Sequence, residues 1–316
     1  MVGWGAARRF AALAWYNEGA ARLDRGQAAP AVAPLTHAVL LAPLERHAWQ
    51  HLGRARELRG DLATAVASYQ AAERLGPYHP ITGLNVGRTA RELWRRTKDR
   101  AWLDLALGAL ERVVRINPHQ TDARESGGEL ALEAARPESA ALFLGAVPEG
   151  FQPSPAWLWL RAKWQARRGE AAEARATMGQ GDRLAARVEA QDAEAALRAG
   201  KLEEAVARAR AAIKHTPGLT AAWETLGYAL TALGRLREAR DCFGRIAARD
   251  PGSLNARLNV AVISLNLRDL PEVRRALAAA ERIAPGDPEV LLTRARLLAA
   301  EGRRADAIRA YEALLT

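Results

Sequence analysis

The chain has 316 residues, 49% hydrophobic and 26% charged, with one cysteine and a formal net charge of +10. That much apolar material builds a large buried core and excludes a disordered chain, while a single thiol excludes an internal disulfide. Positive charge raises nucleic acid or an anionic surface as partners, yet among the 46 basic residues only Lys98, Lys163, Lys201 and Lys214 are lysines, a bias that reads as arginines solvating helix surfaces.

Residues 1–11 form a lead-in without the sustained apolar region and cleavage site of a secretory signal. No stretch reaches the apolar length of a membrane helix: the best, Ala31 to Leu44, contains Thr36 and His37 and is broken by Pro34. The expectation is a soluble, cytoplasmic chain, with the soluble part of a membrane-anchored protein as the alternative.

From residue 12 a repeat sets in. Pro43 and Pro77 lie 34 residues apart, as do Pro217 and Pro251, then Pro251 and Pro285, and Trp15 and Trp49 keep the same spacing. In that register the chain divides into units at 12–45, 46–79, 80–120, 121–154, 155–185, 186–219, 220–253, 254–287 and 288–316. The eighth position is small throughout, with glycine at Gly19, Gly53, Gly87, Gly128 and Gly227; the twentieth is Ala31, Ala65, Ala106 and so on to Ala307, broken only by Val273. The twenty-fourth is mostly large: Leu35, Tyr69, Leu110, Leu144, Met178, Ala209, Phe243, Leu277 and Tyr311.

These columns predict two antiparallel helices per unit. Small residues at eight and twenty let the helix backbones approach, and the large residue at twenty-four fills the space beside them. Gly26, Gly60, Gly169, Gly200 and Gly302 fall at the fifteenth position, where a helix C-terminus needs a left-handed residue. The proline near position thirty-two ends the second helix. Two units depart from the pattern. The third carries a basic insertion around Leu93 to Arg100, and the fifth is about three residues short and lacks its proline.

Trp223, Leu226, Gly227, Ala239, Phe243 and Pro251 resemble the tetratricopeptide signature at its family spacing, as do Trp49, Leu52, Gly53, Gly60, Ala65, Tyr69, Ala72 and Pro77. The resemblance spans 12–316. It implies an all-α fold, a right-handed superhelical solenoid of about nine helical hairpins, stable only because each hairpin covers its neighbours. It further implies that the first helix of each unit lines a concave groove that binds proteins or extended peptides, with no catalysis and no cofactor.

Positions two, five, six, nine and thirteen of the first helices share one side. Position six reads Asn17, His51, Asn85, Ser126, Leu160, Gln191, Thr225, Asn259 and Thr293. Such side chains can pair with the backbone of an extended peptide, or simply face water. Gln50, Arg54 and Tyr228 occupy groove positions beside them. In the fourth unit Glu125, Glu129 and Glu133 form an acidic stripe whose like charges oppose the helix by about 0.2–0.5 kcal/mol per pair. Arg88, Lys163 and Arg167 on flanking units are the expected compensation, either as ion pairs or in a groove of alternating sign that selects a complementary ligand. Trp159 would add an aromatic anchor; Trp157, Trp159 and Trp164 cannot all face one way, so at least one belongs in the core.

Catalytic patterns are absent from the sequence: no phosphate-binding glycine loop, no nucleophile elbow, no cysteine pair for zinc. Cys242, beside Phe243, reads as a buried small residue. His47 and His51 share a helical face but lack a third ligand, so no metal is expected. A clamp for a C-terminal carboxylate is poorly matched, with Tyr16 and Ala20 at the relevant places of the first unit. The functional expectation is therefore a non-enzymatic scaffold or assembly factor holding a partner segment in its groove. The alternative is RNA or DNA binding through Arg88, Arg91, Arg95, Arg96 and Arg100. Ile308, Tyr311, Leu314 and Leu315 leave an apolar face in the last unit, expected to meet a second subunit or a partner.

Overall fold

The computed structural model describes the backbone of residues 2–314 and the side chains of residues 6–314. Among the described residues there are seventeen α-helices and no strand. The chain divides into two compact units, Met1–Gly181 and Asp182–Thr316.

The first unit contains α1 (Val2–Asp24), α2 (Ala28–Leu41), α3 (Arg46–Arg59), α4 (Leu62–Leu75), α5 (Pro80–Thr97), α6 (Arg100–Ile116), α7 (Thr121–Glu133), α8 (Pro137–Leu144) and α9 (Pro155–Arg167). Helix α10 (Ala171–Arg198) begins in it and ends in the second unit, which continues with α11 (Leu202–His215), α12 (Thr220–Ala232), α13 (Leu236–Arg249), α14 (Leu254–Asn266), α15 (Leu270–Ile283), α16 (Pro288–Ala300) and α17 (Arg304–Glu312). Consecutive helices from α1 to α9, and from α11 to α17, pack against one another.

The eighth and twenty-fourth positions meet directly. A Cβ added at Gly227 would stand 2.6 Å from Phe243 Cε2, and one at Gly53 would stand 2.6 Å from the Tyr69 ring. These rings are buried by lying on bare helix backbone, so the glycine is required by packing. Leu35, Leu110 and Leu144 fill the same place in their hairpins and are fully buried. Met178 and Tyr311 depart from the column and are exposed; in the fifth unit Trp157 and Trp164 are the buried aromatics instead.

Every unit has its left-handed residue. The expected glycines and Gly234 have positive φ, and where no glycine is present Lys98, Ala135 and Arg268 adopt that conformation. A further regularity links the proline and tryptophan columns. Trp49 Nε1 donates to Pro43 O at 2.8 Å, Trp223 Nε1 to Pro217 O at 2.9 Å, Arg124 Nε to Pro118 O at 2.7 Å and Arg257 Nε to Pro251 O at 3.0 Å. The fourth residue of one unit thus satisfies a carbonyl in the turn that follows the preceding helix.

Three local features differ from the periodic expectation. The lead-in 1–11 is helical from Val2, continuous with α1. The insertion in the third unit is no loop: α5 has 18 residues and α6 has 17, against 14 in each of α3 and α4, so one added turn on each helix absorbs it. The seam at 185/186 falls inside α10, which runs unbroken for 28 residues. The missing proline and missing residues leave nothing to stop an alanine-rich segment from continuing as helix.

Helix α8 is short, eight residues, and its end is held by side chains. Arg124 Nη1 donates to Leu142 O, Phe143 O and Ala146 O at 3.3, 3.2 and 3.5 Å, and Trp157 Nε1 donates to Phe143 O at 3.1 Å. In the last unit Ile308 and Tyr311 are exposed and Leu314 is half-buried; Leu315 lies outside the described residues.

Candidate partner-binding groove

Helices α5, α7 and α9 are the first helices of successive hairpins, and α7 packs against both of the others. Residues three or four apart on each helix share a side. Together those sides line a groove of about 530 Å³: Arg88 and Arg91 from α5, Asp122, Glu125, Ser126 and Glu129 from α7, and Ala156, Trp159, Leu160 and Lys163 from α9. Five of the residues anticipated from sequence, Arg88, Glu125, Glu129, Trp159 and Lys163, are therefore brought together.

The acidic stripe is compensated, but by other residues than expected. Arg91 Nη1 donates to Glu129 at 2.6 Å, and Arg95 Nη2 donates to Glu129 at 3.1 Å and to Glu133 at 2.7 Å. Arg95 sits on the turn added to α5, within reach of both carboxylates. Arg88 and Lys163 make no ion pair among the described residues, and Arg167 Nη1 instead donates to the backbone carbonyl of Leu132 at 2.6 Å. Glu125 accepts from the Ser154 hydroxyl, which also caps α9 by accepting from Trp157 N at 3.0 Å. Burial raises the Glu125 pKa, the neighbouring Asp122 charge adds to the rise, and the Ser154 bond opposes it. The stripe is thus two carboxylates paired with arginines and a third, Glu125, whose pKa burial raises.

Trp159 is half-buried, with Gly181 against its ring: a Cβ there would lie 2.8 Å from Trp159 Cδ1. Leu160 and Ala156 continue that apolar wall.

In the compact unit Asp182–Thr316, Gln191 and Tyr228 line another groove, of about 430 Å³, with Leu197, Leu219 and Thr225. The Tyr228 hydroxyl accepts from Asn255 Nδ2 at 3.1 Å, and Asn259 Nδ2 donates to Asn255 Oδ1 at 2.8 Å, so these polar positions bond to one another. The remaining anticipated residues line neither groove. Asn17 and Arg54 are exposed on α1 and α3, and Asn85 is half-buried on α5. Gln50 Nε2 donates to Thr82 Oγ1 at 2.7 Å. His51 turns back on its own helix, Nδ1 bonding to His47 O at 2.9 Å, with its ring edge-on to Tyr16.

Two tetratricopeptide-repeat family models match the chain, one over residues 16–80 and the other over 196–259. The chain is a tetratricopeptide-repeat protein. Among solved structures it is similar to the TPR domain of P58(IPK) at 18% identity, over 96% of this chain and 92% of that one, with a TM-score of 0.30. A thermophilic TPR protein of Thermus thermophilus matches at 16% identity over 70% and 100% of the two chains, with a TM-score of 0.38. A tetratricopeptide repeat protein of Parabacteroides merdae matches at 14% identity over 91% and 99%, with a TM-score of 0.40. No curated protein matches.

Tetratricopeptide-repeat proteins are in general protein-interaction scaffolds without catalysis. In this one the arginine cluster that suggested nucleic acid is largely neutralised. Arg91 and Arg95 are held by Glu129 and Glu133, Arg96 pairs with Glu92 at 2.8 Å and Arg100 with Asp104 at 3.6 Å. Phosphate binding draws on cations free to replace counterions, and of the five only Arg88 makes no ion pair among the described residues, so the nucleic-acid alternative is not supported. No helix of this tetratricopeptide-repeat protein, among the described residues, is long and apolar enough to cross a membrane.

Proposed function

We propose that this tetratricopeptide-repeat protein is a non-enzymatic scaffold that holds a segment of another protein in the groove of α5, α7 and α9. One observation carries the reading: an aromatic and aliphatic wall and charged side chains without ion pairs converge there from three successive first helices. Apolar area supplies affinity in such a site and charged groups set selectivity. Catalysis has no comparable support. Cys242, the single thiol, is buried and its pKa is pushed up to about 11 by desolvation, the opposite of what a nucleophilic thiolate needs.

The test is site-specific photo-crosslinking in cells making the protein, with the reactive group at Ser126 in the groove or at the exposed Arg100 outside it. A partner crosslinked from Ser126, absent from the Arg100 sample and lost on Trp159→Ala, is the expected result. Crosslinks from both positions alike, or insensitive to Trp159→Ala, would refute groove binding.

A further inference from the structure

We infer that the groove of α5, α7 and α9 takes an acidic segment, with a ligand carboxylate between Arg88 and Lys163 and an apolar or aromatic side chain two residues away against Trp159 and Leu160. The inference rests on this groove being the partner site. It reverses the polarity that the glutamates of α7 suggest by themselves. Glu129 already accepts from Arg91 at 2.6 Å and Arg95 at 3.1 Å, so a basic ligand residue there would gain little by replacing one exposed pair with another. Glu125 is engaged by the Ser154 hydroxyl. Asp122 is the one remaining carboxylate lining the groove.

Arg88 and Lys163, by contrast, are exposed, make no ion pair among the described residues, and line the groove from different helices, one from α5 and one from α9. A carboxylate entering between them finds two cations that the groove's own carboxylates, Asp122 included, leave without an ion pair, and complementary charge of this kind both steers encounter and selects the ligand. The spacing of the ligand follows from the helix. Trp159 and Lys163 are four residues apart on α9, a rise of about 6 Å, which an extended chain covers in about two residues. The recognised pattern is therefore acid, any residue, then aromatic or branched apolar, in either chain direction.

Ten-residue fluorescein-labelled peptides, serine-rich and carrying Glu-Ser-Phe at the centre, provide the probe, with companions in which the glutamate is glutamine or lysine. Fluorescence anisotropy on the full chain should show the glutamate peptide binding at least about tenfold tighter than the glutamine peptide, with lysine weakest. That preference should shrink with added salt and vanish in the Arg88→Gln/Lys163→Gln double variant, whose exposed positions leave the helical circular dichroism unchanged. Trp159→Ala should weaken the glutamate and glutamine peptides alike. Equal binding of the three peptides, or a lysine preference, with Trp159 still required, overturns the acidic inference and leaves the groove in place. Binding indifferent to Trp159→Ala overturns the groove itself, and no binding by any peptide overturns the proposed pattern.

Discussion

Replacing Arg124 by methionine keeps a long unbranched side chain in α7 while removing every N–H donor it offers. Arg124 is 4% exposed, unusually low for arginine. Its Nε bond to Pro118 O, at 2.7 Å, closes the turn before α7, and Nη1 reaches the carbonyls at the end of α8. Each carbonyl left without a donor costs about 1–3 kcal/mol, although Phe143 O retains Trp157 Nε1 at 3.1 Å. Against this stands the burial of the guanidinium itself, which has no carboxylate partner among the described residues and whose pKa burial lowers; removing it recovers part of that desolvation cost. The balance is a loss of about 2 kcal/mol for Arg124→Met and nearer 4 kcal/mol for Arg124→Ala, which also leaves a cavity. Because these bonds anchor a helix of only eight residues, the loss should register locally. Amide hydrogen exchange in α8 should accelerate about thirtyfold for a 2 kcal/mol loss, with a lower urea midpoint for the first unit. Unchanged α8 protection and an unchanged midpoint in Arg124→Met would refute this account of how the hairpin end is held.

Gly227→Ala drives a methyl to 2.6 Å from the Phe243 ring and should cost about 1–3 kcal/mol, whereas Gly244→Ala in α13, where an added Cβ meets nothing within 4 Å, should gain about 0.5–1 kcal/mol; urea midpoints of the two variants check the contrast. Ala135 has φ 52°, a conformation that costs a non-glycine residue about 1–2 kcal/mol, so Ala135→Gly should raise the melting temperature while Gly60→Ala, at φ 95°, lowers it. Glu125 has a raised pKa in the folded chain, so the folded state binds its proton more readily than the unfolded one. Its contribution is then fully present below the ordinary carboxylate pKa and is lost as pH rises through the folded value. Urea titrations across that window should show this decline in the parent and not in Glu125→Gln. Glu129→Gln with Glu133→Gln removes the partners of Arg91 and Arg95; being exposed pairs they should shift the midpoint little, by about 0–1 kcal/mol each, and a larger loss would mean the network braces α5 against α7.

The hairpin architecture was legible because it is a matter of local period. A small residue every thirty-four positions, a large one sixteen further on and a left-handed residue between helices recur in the chain itself, and Gly227 on Phe243 or Gly53 on Tyr69 is where that recurrence becomes contact. The convergence of Arg88, Glu125, Glu129, Trp159 and Lys163 was legible for the same reason, since helical spacing places each on one side of its own helix. Arg124 escaped because an arginine at a tryptophan position looks like a surface residue until the carbonyls around it are seen. Its signal was the column itself: position four, six residues after Pro118, where Trp49 and Trp223 follow Pro43 and Pro217.

The sequence by itself determined an all-α repeat chain, the helices of most units and the set of charges on each first helix. Tertiary structure alone decided which charges meet. Glu129 is answered not by Arg88 at the same repeat position but by Arg91 and by Arg95, the latter on the turn added to the lengthened α5. Likewise, the run through 185/186 reads as a seam between units until α10 is seen to cross it unbroken. Periodicity is a property of one helix at a time, whereas pairing depends on the reach of long side chains between helices that packing brings together, and that is why the side each charge takes on its own helix could be read from the chain but the absence of an ion pair at Arg88 and Lys163, among the described residues, could not.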